Sequence, residues 1–419
     1  MKKIIFKLLF IISAFLILNS TFLIRNCQSQ WVQMSNGMGA NTFVSSFISS
    51  GSNIFAGTYG NGIYTTTNYG GMWSTANNGL TYQNISALLK SGSNIYAGTF
   101  GDGVFRSNNN GGNWIAVNSN LLNLAVTALA SSGNNILAGT GVGISLSTNS
   151  GEVWSTILTG NNINTLLTNE NNIFAGTNNN GIFLSTNNGE NWTVANNGFP
   201  TGTSVITLAL SGTNIFAGTG NGVYLSTNNG GNWISKGLTN IVVRDLTVNG
   251  IYIFAATEGG GAVYISTNNG ANWIIKNQGM ENLIHFAFSL FVADNFIFAG
   301  MYNASVWRRD LSEILGIKQI SELVPTSYSL YQNYPNPFNP STVIRFQLPV
   351  AGNASLKIFD ITGKEVAILV NGKLNAGSYE AVWDACLTNG QGTRFASGVY
   401  FYRLTAEGYG ETKRMLLIK

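Results

Sequence analysis

The chain has 419 residues, enough for two or three domains, and only 9% are charged, against roughly 25% in an ordinary soluble domain. Fifty glycines and many Asn, Ser and Thr favour an all-β protein of short strands, and 44% hydrophobic residues at regular places exclude disorder. The net charge of +4 sits in the leader: four of the 21 basic residues (Lys2, Lys3, Lys7, Arg25) precede residue 30, so its removal leaves 17 basic and 17 acidic, no electrostatic footprint for nucleic acid or anionic lipid.

Residues 1–29 have the layout of an export signal. Lys2, Lys3 and Lys7 form a basic start, residues 8–18 an apolar core of 11, and Cys27-Gln28-Ser29 offers small residues at the −3 and −1 positions for cleavage. A retained anchor is opposed by Asn19, Ser20 and Thr21, which leave the apolar stretch short of the ~20 residues a span needs. A lipid anchor on Cys27 is opposed by Arg25 and Asn26, where small residues are expected. Cleavage after Ser29 leaves one cysteine, Cys386, and so no intramolecular disulfide.

Residues 31–310 are self-similar. An apolar strand ending in a turn, Ile54-Phe55-Ala56-Gly57-Thr58, returns at Ile95, Ile136, Ile173, Ile215, Ile253 and Ile297, giving seven copies. Six are followed by a box of the form Ser/Thr-x-Asn-x-Gly-x-x-Trp. Its Asn and Trp are Asn68 and Trp73, Asn109 and Trp114, Asn149 and Trp154, Asn187 and Trp192, Asn228 and Trp233, Asn268 and Trp273. The tryptophans are 41, 40, 38, 41 and 40 residues apart, which fits four short strands with tight turns. Strand A is a run such as residues 205–210, strand B the Ile-Phe-Ala-Gly-Thr element, strand C a run such as residues 223–226, and strand D begins at the box tryptophan.

The ends of the array complement each other. The seventh copy has A, B and C, the last at residues 304–309, but no box. Trp31-Val32-Gln33-Met34-Ser35-Asn36-Gly37, 42 residues before Trp73 when counted from Trp31, resembles the stretch that begins at Trp192 and supplies the missing strand. Seven complete sets then require the first strand to join the last blade, which closes a ring and hides sheet edges. The expected fold is all-β, a seven-bladed β-propeller over residues 30–310 with N-/C-terminal strand closure.

The box chemistry is that of a turn. Asn bonds its own backbone two residues on and tolerates positive φ, Gly takes positive φ without steric penalty, and the hydroxyl closes a second local bond. The Trp buries a large apolar area between blades. These residues resemble the Asp-box repeats of sialidase-like, sortilin-like and photosystem-assembly-factor-like propellers, with Asn where Asp is usual in all six boxes. The resemblance implies that the boxes lie away from the active face.

Residues 31–300 hold only 13 charged side chains. Two arginines, Arg106 and Arg244, are too few for the arginine cluster of a sialidase-like site. A glycosidase needs two carboxylates across a cleft, and the candidates are Asp102, Asp245 and Glu258. Asp102 takes the B–C turn place of Asn61, Asn180 and Asn221, and Glu258 sits in a similar Gly-rich turn, so both read first as turn residues. Asp245 stands on strand A, where other copies have Ala87, Ala128, Thr165 and Thr207; with Arg244 it is the candidate binding pair, facing the channel and pairing with one another. Gly259-Gly260-Gly261 lacks the Gly-Lys-Ser/Thr and helix start of a phosphate loop. His285, the only histidine, lies near Leu283, Phe286 and Phe288 and reads as a packed residue. No cysteine pair has ligand spacing, so neither a metal nor a cofactor is expected.

Composition changes after Asp310. Residues 311–327 read as a linker with one helical turn. The next segment, 331–342, contains three of the six prolines in Tyr334-Pro335-Asn336-Pro337-Phe338-Asn339-Pro340 and cannot supply a central strand. Strands are expected at 356–359, 366–370, 379–383, 399–404 and 415–418, with turns at Gly363-Lys364, Asn371-Gly372 and Asn389-Gly390, as in a small Ig-like β-sandwich over 328–419. These residues closely resemble the type A C-terminal sorting domain of the type IX secretion system. The matching pieces are 331–342, Phe359-Asp360-Ile361-Thr362-Gly363, Trp383-Asp384, 397–404 and Lys413-Arg414-Met415-Leu416. Ala385-Cys386 departs from the family, where glycine often follows Trp-Asp. The resemblance implies recognition by an outer-membrane translocon and its sorting machinery, often with cleavage and surface attachment.

The expectation is a bacterial protein exported through the periplasm and then secreted or held at the outer cell surface. Its propeller acts as a binding or adhesion scaffold for a glycan or surface-protein ligand, and it meets membrane only through export or attachment. The alternative is a secreted glycoside hydrolase acting on polysaccharide; the scarcity of paired carboxylates favours the binder.

Overall fold

The computed structural model describes residues 30–418 apart from 251, 260, 261, 281–285, 312, 313, 315, 322 and 386–394. The export-signal reading and those of His285, Cys386 and the Asn389-Gly390 turn lie outside the described residues.

Seven four-stranded antiparallel sheets form between residues 32 and 310. In the first six the strands pair in chain order, A to D; the first sheet, for example, is Phe43–Ser50, Asn53–Tyr59, Ile63–Thr66 and Ser74–Thr75. The seventh takes Ala287–Ala293, Phe296–Met301 and Val306–Asp310 as A to C and is completed by Val32–Gln33, with Val32 opposite Arg308 and Gln33 opposite Trp307. Every strand A lies beside the strand A of the next sheet, and the seventh lies beside the first, so the sheets close around a central channel.

Packing between sheets explains the residues of strand B. It is covered on both faces by neighbouring sheets, so Ile95, Tyr96, Ala97, Gly98 and Thr99 are all buried. An added Cβ on Gly98 would lie 2.7 Å from Val126 Cγ1 on strand A of the next sheet, and one on Gly300 would lie 2.8 Å from Val44 Cγ1 across the ring closure. Glycine is used because two backbones approach closely there. The sixth sheet differs: Ala256 stands in the glycine position, and its neighbouring strand carries Ala287 where the others carry Ile or Val. Both alanines are buried in one cluster, so volume added on one side is removed on the other. The buried Thr that ends strand B caps the B–C turn, Thr58 Oγ1 donating to Gly62 O at 2.7 Å and Thr99 Oγ1 to Gly103 O at 3.0 Å. Strand D is only two exposed residues long in five of the first six sheets, a short edge that resists pairing with other chains.

The boxes are turns, with a correction to their expected bonding. In all six, the Ser or Thr hydroxyl donates to the Asn Oδ1 at 2.8–3.1 Å and accepts the N–H of the Gly four residues on. The Asn Oδ1 accepts an N–H four residues on, not two, at 2.9–3.0 Å. Positive φ falls on the residue after the Asn, such as Tyr69 (54°) and Asn229 (53°), because the Asn side chain must reach over a turn of two left-handed residues.

The box indoles link sheets. Trp73, Trp114, Trp154, Trp233 and Trp273 donate Nε1–H to Met34, Ala76, Val117, Ala195 and Lys236 O of the preceding sheet at 2.7–2.9 Å. Trp31 completes the series by donating to Lys276 O. Trp192 instead bonds Gly189 O in its own turn at 3.2 Å. Its counterpart acceptor, Ile157, lies in a longer strand D, Ser155–Thr159, whose register shifts.

After residue 310 come two more four-stranded sheets. One is ordered Ile317–Ser321, Gly377–Asp384, Ser341–Leu348, Ser329–Leu330; the other Glu365–Leu374, Gly352–Phe359, Gly398–Ala406, Tyr409–Leu417. They bury one core, with Ile344 and Phe346 from the first and Leu356, Tyr402 and Met415 from the second. Two expectations change. The linker segment carries structure: Leu311 and Ile314 are buried with residues of the seven-sheet ring, and Ile317–Ser321 pairs with Gly377–Asp384. The Asn371-Gly372 turn is instead inside Glu365–Leu374, because Asn371 and Gly372 pair with Ser355 and Ala354. Tyr252 Oη, in the ring, donates to Leu369 O at 3.2 Å.

The proline-rich segment fastens the chain's end. Buried Asn333 donates its backbone N–H to the Tyr402 hydroxyl oxygen at 2.8 Å and its Nδ2–H to Pro335 O and Thr342 Oγ1. Phe338 is buried against Trp383, 5.4 Å between centroids, and its N–H and C=O bond Leu416 and Ile418. Tyr334 is 81% exposed.

Candidate ligand site at the channel mouth

Every strand A contains a register shift, and the skipped residues are Ser45, Ser86, Thr127, Asn164, Ile206, Arg244 and Phe288. A bulge re-aims its side chain, and all seven line the channel. Four of them tie one inner strand to the next. Ser45, Ser86 and Thr127 hydroxyls donate to Ile85, Val126 and Ile163 O at 2.5–2.6 Å, and Asn164 Nδ2 donates to Val205 O at 3.1 Å.

The other three bulged residues are not such ties, and there the residue that follows takes over. Asp245 Oδ1 accepts from Thr207 Oγ1 of the fifth sheet at 3.3 Å and from Leu246 N at 2.8 Å. Its Oδ2 accepts from Leu290 N of the seventh sheet at 2.7 Å. Ser289 Oγ donates to Val44 O at 3.2 Å and closes the circle. Burial pushes the Asp245 carboxyl up to about 6, with the bonds from Leu290, Leu246 and Thr207 pulling the other way. Its side chain is recessed in the wall but still touches the channel.

Arg244 and Asp245 do not pair with one another as expected. Arg244 pairs with Glu258, Nε to Oε2 at 2.7 Å with Nη2 on the same oxygen, both side chains about one-third exposed at 32%. The bulge is the reason: it turns Arg244 toward the B–C end, where Glu258 terminates strand B, and leaves Asp245 facing its neighbour strands. The guanidinium also stands 5.5 Å from the Phe288 ring centroid. Asp102 does not line the channel; it bonds Thr81 Oγ1 and, through its backbone, Thr99 and Asn118 in the B–C turn.

The channel cavity has a volume of about 640 Å³ and is reached from all seven inner strands. One side of its mouth is aromatic, with Tyr59 and Phe100 in the lining and Tyr302 beside them against Phe43. Tyr302, Tyr59 and Phe100 follow strand B's last buried residue in the seventh, first and second sheets, and are 41%, 49% and 42% exposed. Phe43 holds them together, 5.8 Å from Tyr59 and 5.0 Å from Tyr302 between centroids, with Phe100 5.8 Å from Tyr59. Phe43 also meets Phe288 edge-on at 4.7 Å. Asn164, Asn178 and Ser204 make another part of the wall polar. The sequence reading missed this aromatic crescent. Its signal is an aromatic at 59, 100 and 302 where the aligned copies have Gly141, Asn178, Gly220 and Glu258.

Residues 332–419 match the family described as the secretion system C-terminal sorting domain. That domain marks the protein as exported by the type IX secretion system, to the cell surface or beyond. No curated protein matches the chain in sequence. Among solved structures, the chain is similar to PorZ, an essential bacterial surface component of the type IX secretion system of Porphyromonas gingivalis, at 16% identity and a TM-score of 0.58 over 92% of this chain and 60% of that one. It is similar to YCF48 from Cyanidioschyzon merolae at 15% identity and a TM-score of 0.54, covering 68% of this chain and 99% of YCF48. A GH74 xyloglucanase from Xanthomonas campestris gives 14% identity and a TM-score of 0.55, with 76% of this chain and 59% of the enzyme covered. The chain spans about 60% of the length of PorZ and 46% of the extracellular BT4673 structures of B. thetaiotaomicron. These likenesses show the fold, a β-propeller.

Proposed function

We propose that this chain is a ligand-binding protein of the bacterial surface, in which residues 1–29 direct export, 30–310 bind, and 328–419 engage the outer-membrane translocon. The observation that carries the binding role is the pair of half-exposed rings, Tyr59 and Phe100, that line the 640 Å³ cavity, extended beside it by Tyr302 through Phe43. Exposed aromatics beside a concave, partly polar wall are the usual composition of a binding site. Hydrolysis is the weaker reading. A glycosidase needs one carboxyl free to give a proton and another free to attack or activate water. Glu258 is held by Arg244, and both Asp245 oxygens accept hydrogen bonds that tie strands together. Asp102 is in a turn outside the channel lining.

Two measurements test the proposal. Removal of residues 328–419 is expected to hold the protein in the periplasm; undiminished surface delivery contradicts the sorting role. The folded chain from residue 30, passed over separate arrays of oligosaccharides and surface proteins, is expected to be retained on one of them. Retention on neither overturns the binding role.

A further inference from the structure

We infer that the channel mouth takes the end of an uncharged sugar chain, an inference that rests on the binding role proposed above. A sugar ring has an apolar C–H face and a rim of hydroxyls, and needs an aromatic surface on one side and neutral donors and acceptors on the other. The mouth is divided in this way. Tyr302, Tyr59 and Phe100 occupy one repeat position in three consecutive sheets of the ring; Tyr59 and Phe100 line the cavity, and Phe43 joins Tyr302 to them, so the aromatic surface is one-sided. At the same position the fourth sheet has Asn178, which lines the cavity together with Ser204 and offers an amide and a hydroxyl.

Charge argues for a neutral ligand. Among the described residues, Arg244 is the cation of the cavity wall, and Glu258 neutralises it through the guanidinium edge. The remaining wall charge is the Asp245 carboxyl, whose oxygens face backbone and hydroxyl donors. Among the described wall residues, an acidic sugar or a peptide carboxylate therefore meets one negative group and a cation already held by Glu258. A hydroxyl pair, which can both give and take hydrogen bonds, can use the Arg244–Glu258 pair without separating it. The volume of about 640 Å³ lies within the roughly 300–1,000 Å³ range of small-ligand pockets.

The test is retention and titration of the chain from residue 30 against cellohexaose and mannohexaose, an oligogalacturonate, and a proline decapeptide. A neutral hexasaccharide is expected to bind, with little change between about 0.05 and 0.5 M salt because no ion pair forms with it. Tyr59→Ala and Phe100→Ala are each expected to weaken binding at least about tenfold, and Tyr59→Trp to retain it. Both side chains are half exposed, so the thermal midpoint of each variant checks that the fold persists. Binding to the galacturonate or the decapeptide alone overturns the sugar assignment and leaves the binding role standing. Sugar binding indifferent to both alanine variants places the site elsewhere and overturns it too. Absence of binding to every probe on both this set and the protein array removes the broader reading as well.

Discussion

In the inner ring the junctions of the fifth, sixth and seventh sheets depend on one carboxylate. Asp245 joins Thr207 on one side to Leu290 N on the other, where four other junctions use a bulged Ser, Thr or Asn. An acid in this place has a consequence for stability. Burial raises its folded-state value to about 6, above the ~3.9 of an unfolded Asp, so the native state holds its proton more tightly. The stabilisation from this group is fully present below about pH 4 and is lost as pH rises through about 6, a difference of about 2 to 3 kcal/mol. Asp245→Asn is expected to remove that part of the pH slope, read from denaturation midpoints between about pH 4 and 7.5. An unchanged slope would mean that Asp245 does not titrate in this window. The same residue was the leading candidate in the sequence for catalysis and binding. Its deviation from Ala87, Ala128 and Thr165 was visible there, but its partners were not, because Thr207 and Leu290 lie 38 and 45 residues away in sequence.

Each sheet junction is a matched pair of volumes, a glycine on strand B against Ile or Val on the next strand A at six junctions and Ala256 against Ala287 at the other. Gly98→Ala would place a methyl 2.7 Å from Val126 Cγ1, with Ser86 Oγ next at 3.3 Å. Overpacking of this kind costs about 1 to 3 kcal/mol. Val126→Ala alone leaves a cavity and costs about 2 kcal/mol. The double variant reproduces the alanine pair found at Ala256 and Ala287, so the two changes should be less costly together than their sum by about 1 kcal/mol or more. Urea denaturation of the single and double variants measures the coupling; strict additivity would deny that the positions share one packing site. The glycine of the repeat was legible in the sequence as a recurring turn-adjacent residue. Its reason was not, since the atom it accommodates belongs to another repeat.

The ring holds together as a whole because its last sheet is built from both ends of the array. Trp31 is 1% exposed and donates to Lys276 O, while Val32–Gln33 pairs with Val306–Asp310. Trp31→Ala is expected to cost about 3 to 5 kcal/mol and to expose the edge of Val306–Asp310, seen as a lowered unfolding midpoint and self-association in light scattering. Trp192→Ala should cost less, because Trp192 is only partly buried and bonds within its own turn. Equal losses at the two sites would argue against a special role for closure. Leu311 and Ile314, just after the last ring strand, are buried with ring residues, and Tyr252 of the ring donates a hydrogen bond to Leu369 O in the C-terminal sheets.

The sequence by itself determined the all-β class, the repeat, the complementarity of its two ends and the sorting module. Each of these is written in local patterns: alternating apolar residues, the period of the box tryptophans, and a contiguous motif such as Tyr334-Pro335-Asn336-Pro337-Phe338. What depends on residues brought together from different strands and repeats was decided only by the tertiary structure. That includes the pairing of Arg244 with Glu258, the use of Asp245 as a tie, and the gathering of Tyr302, Tyr59 and Phe100 at one mouth. The physical reason is ring closure. It makes residue 302 a neighbour of residue 43, and a one-residue bulge in each inner strand then selects which side chain faces the channel and which faces the next strand.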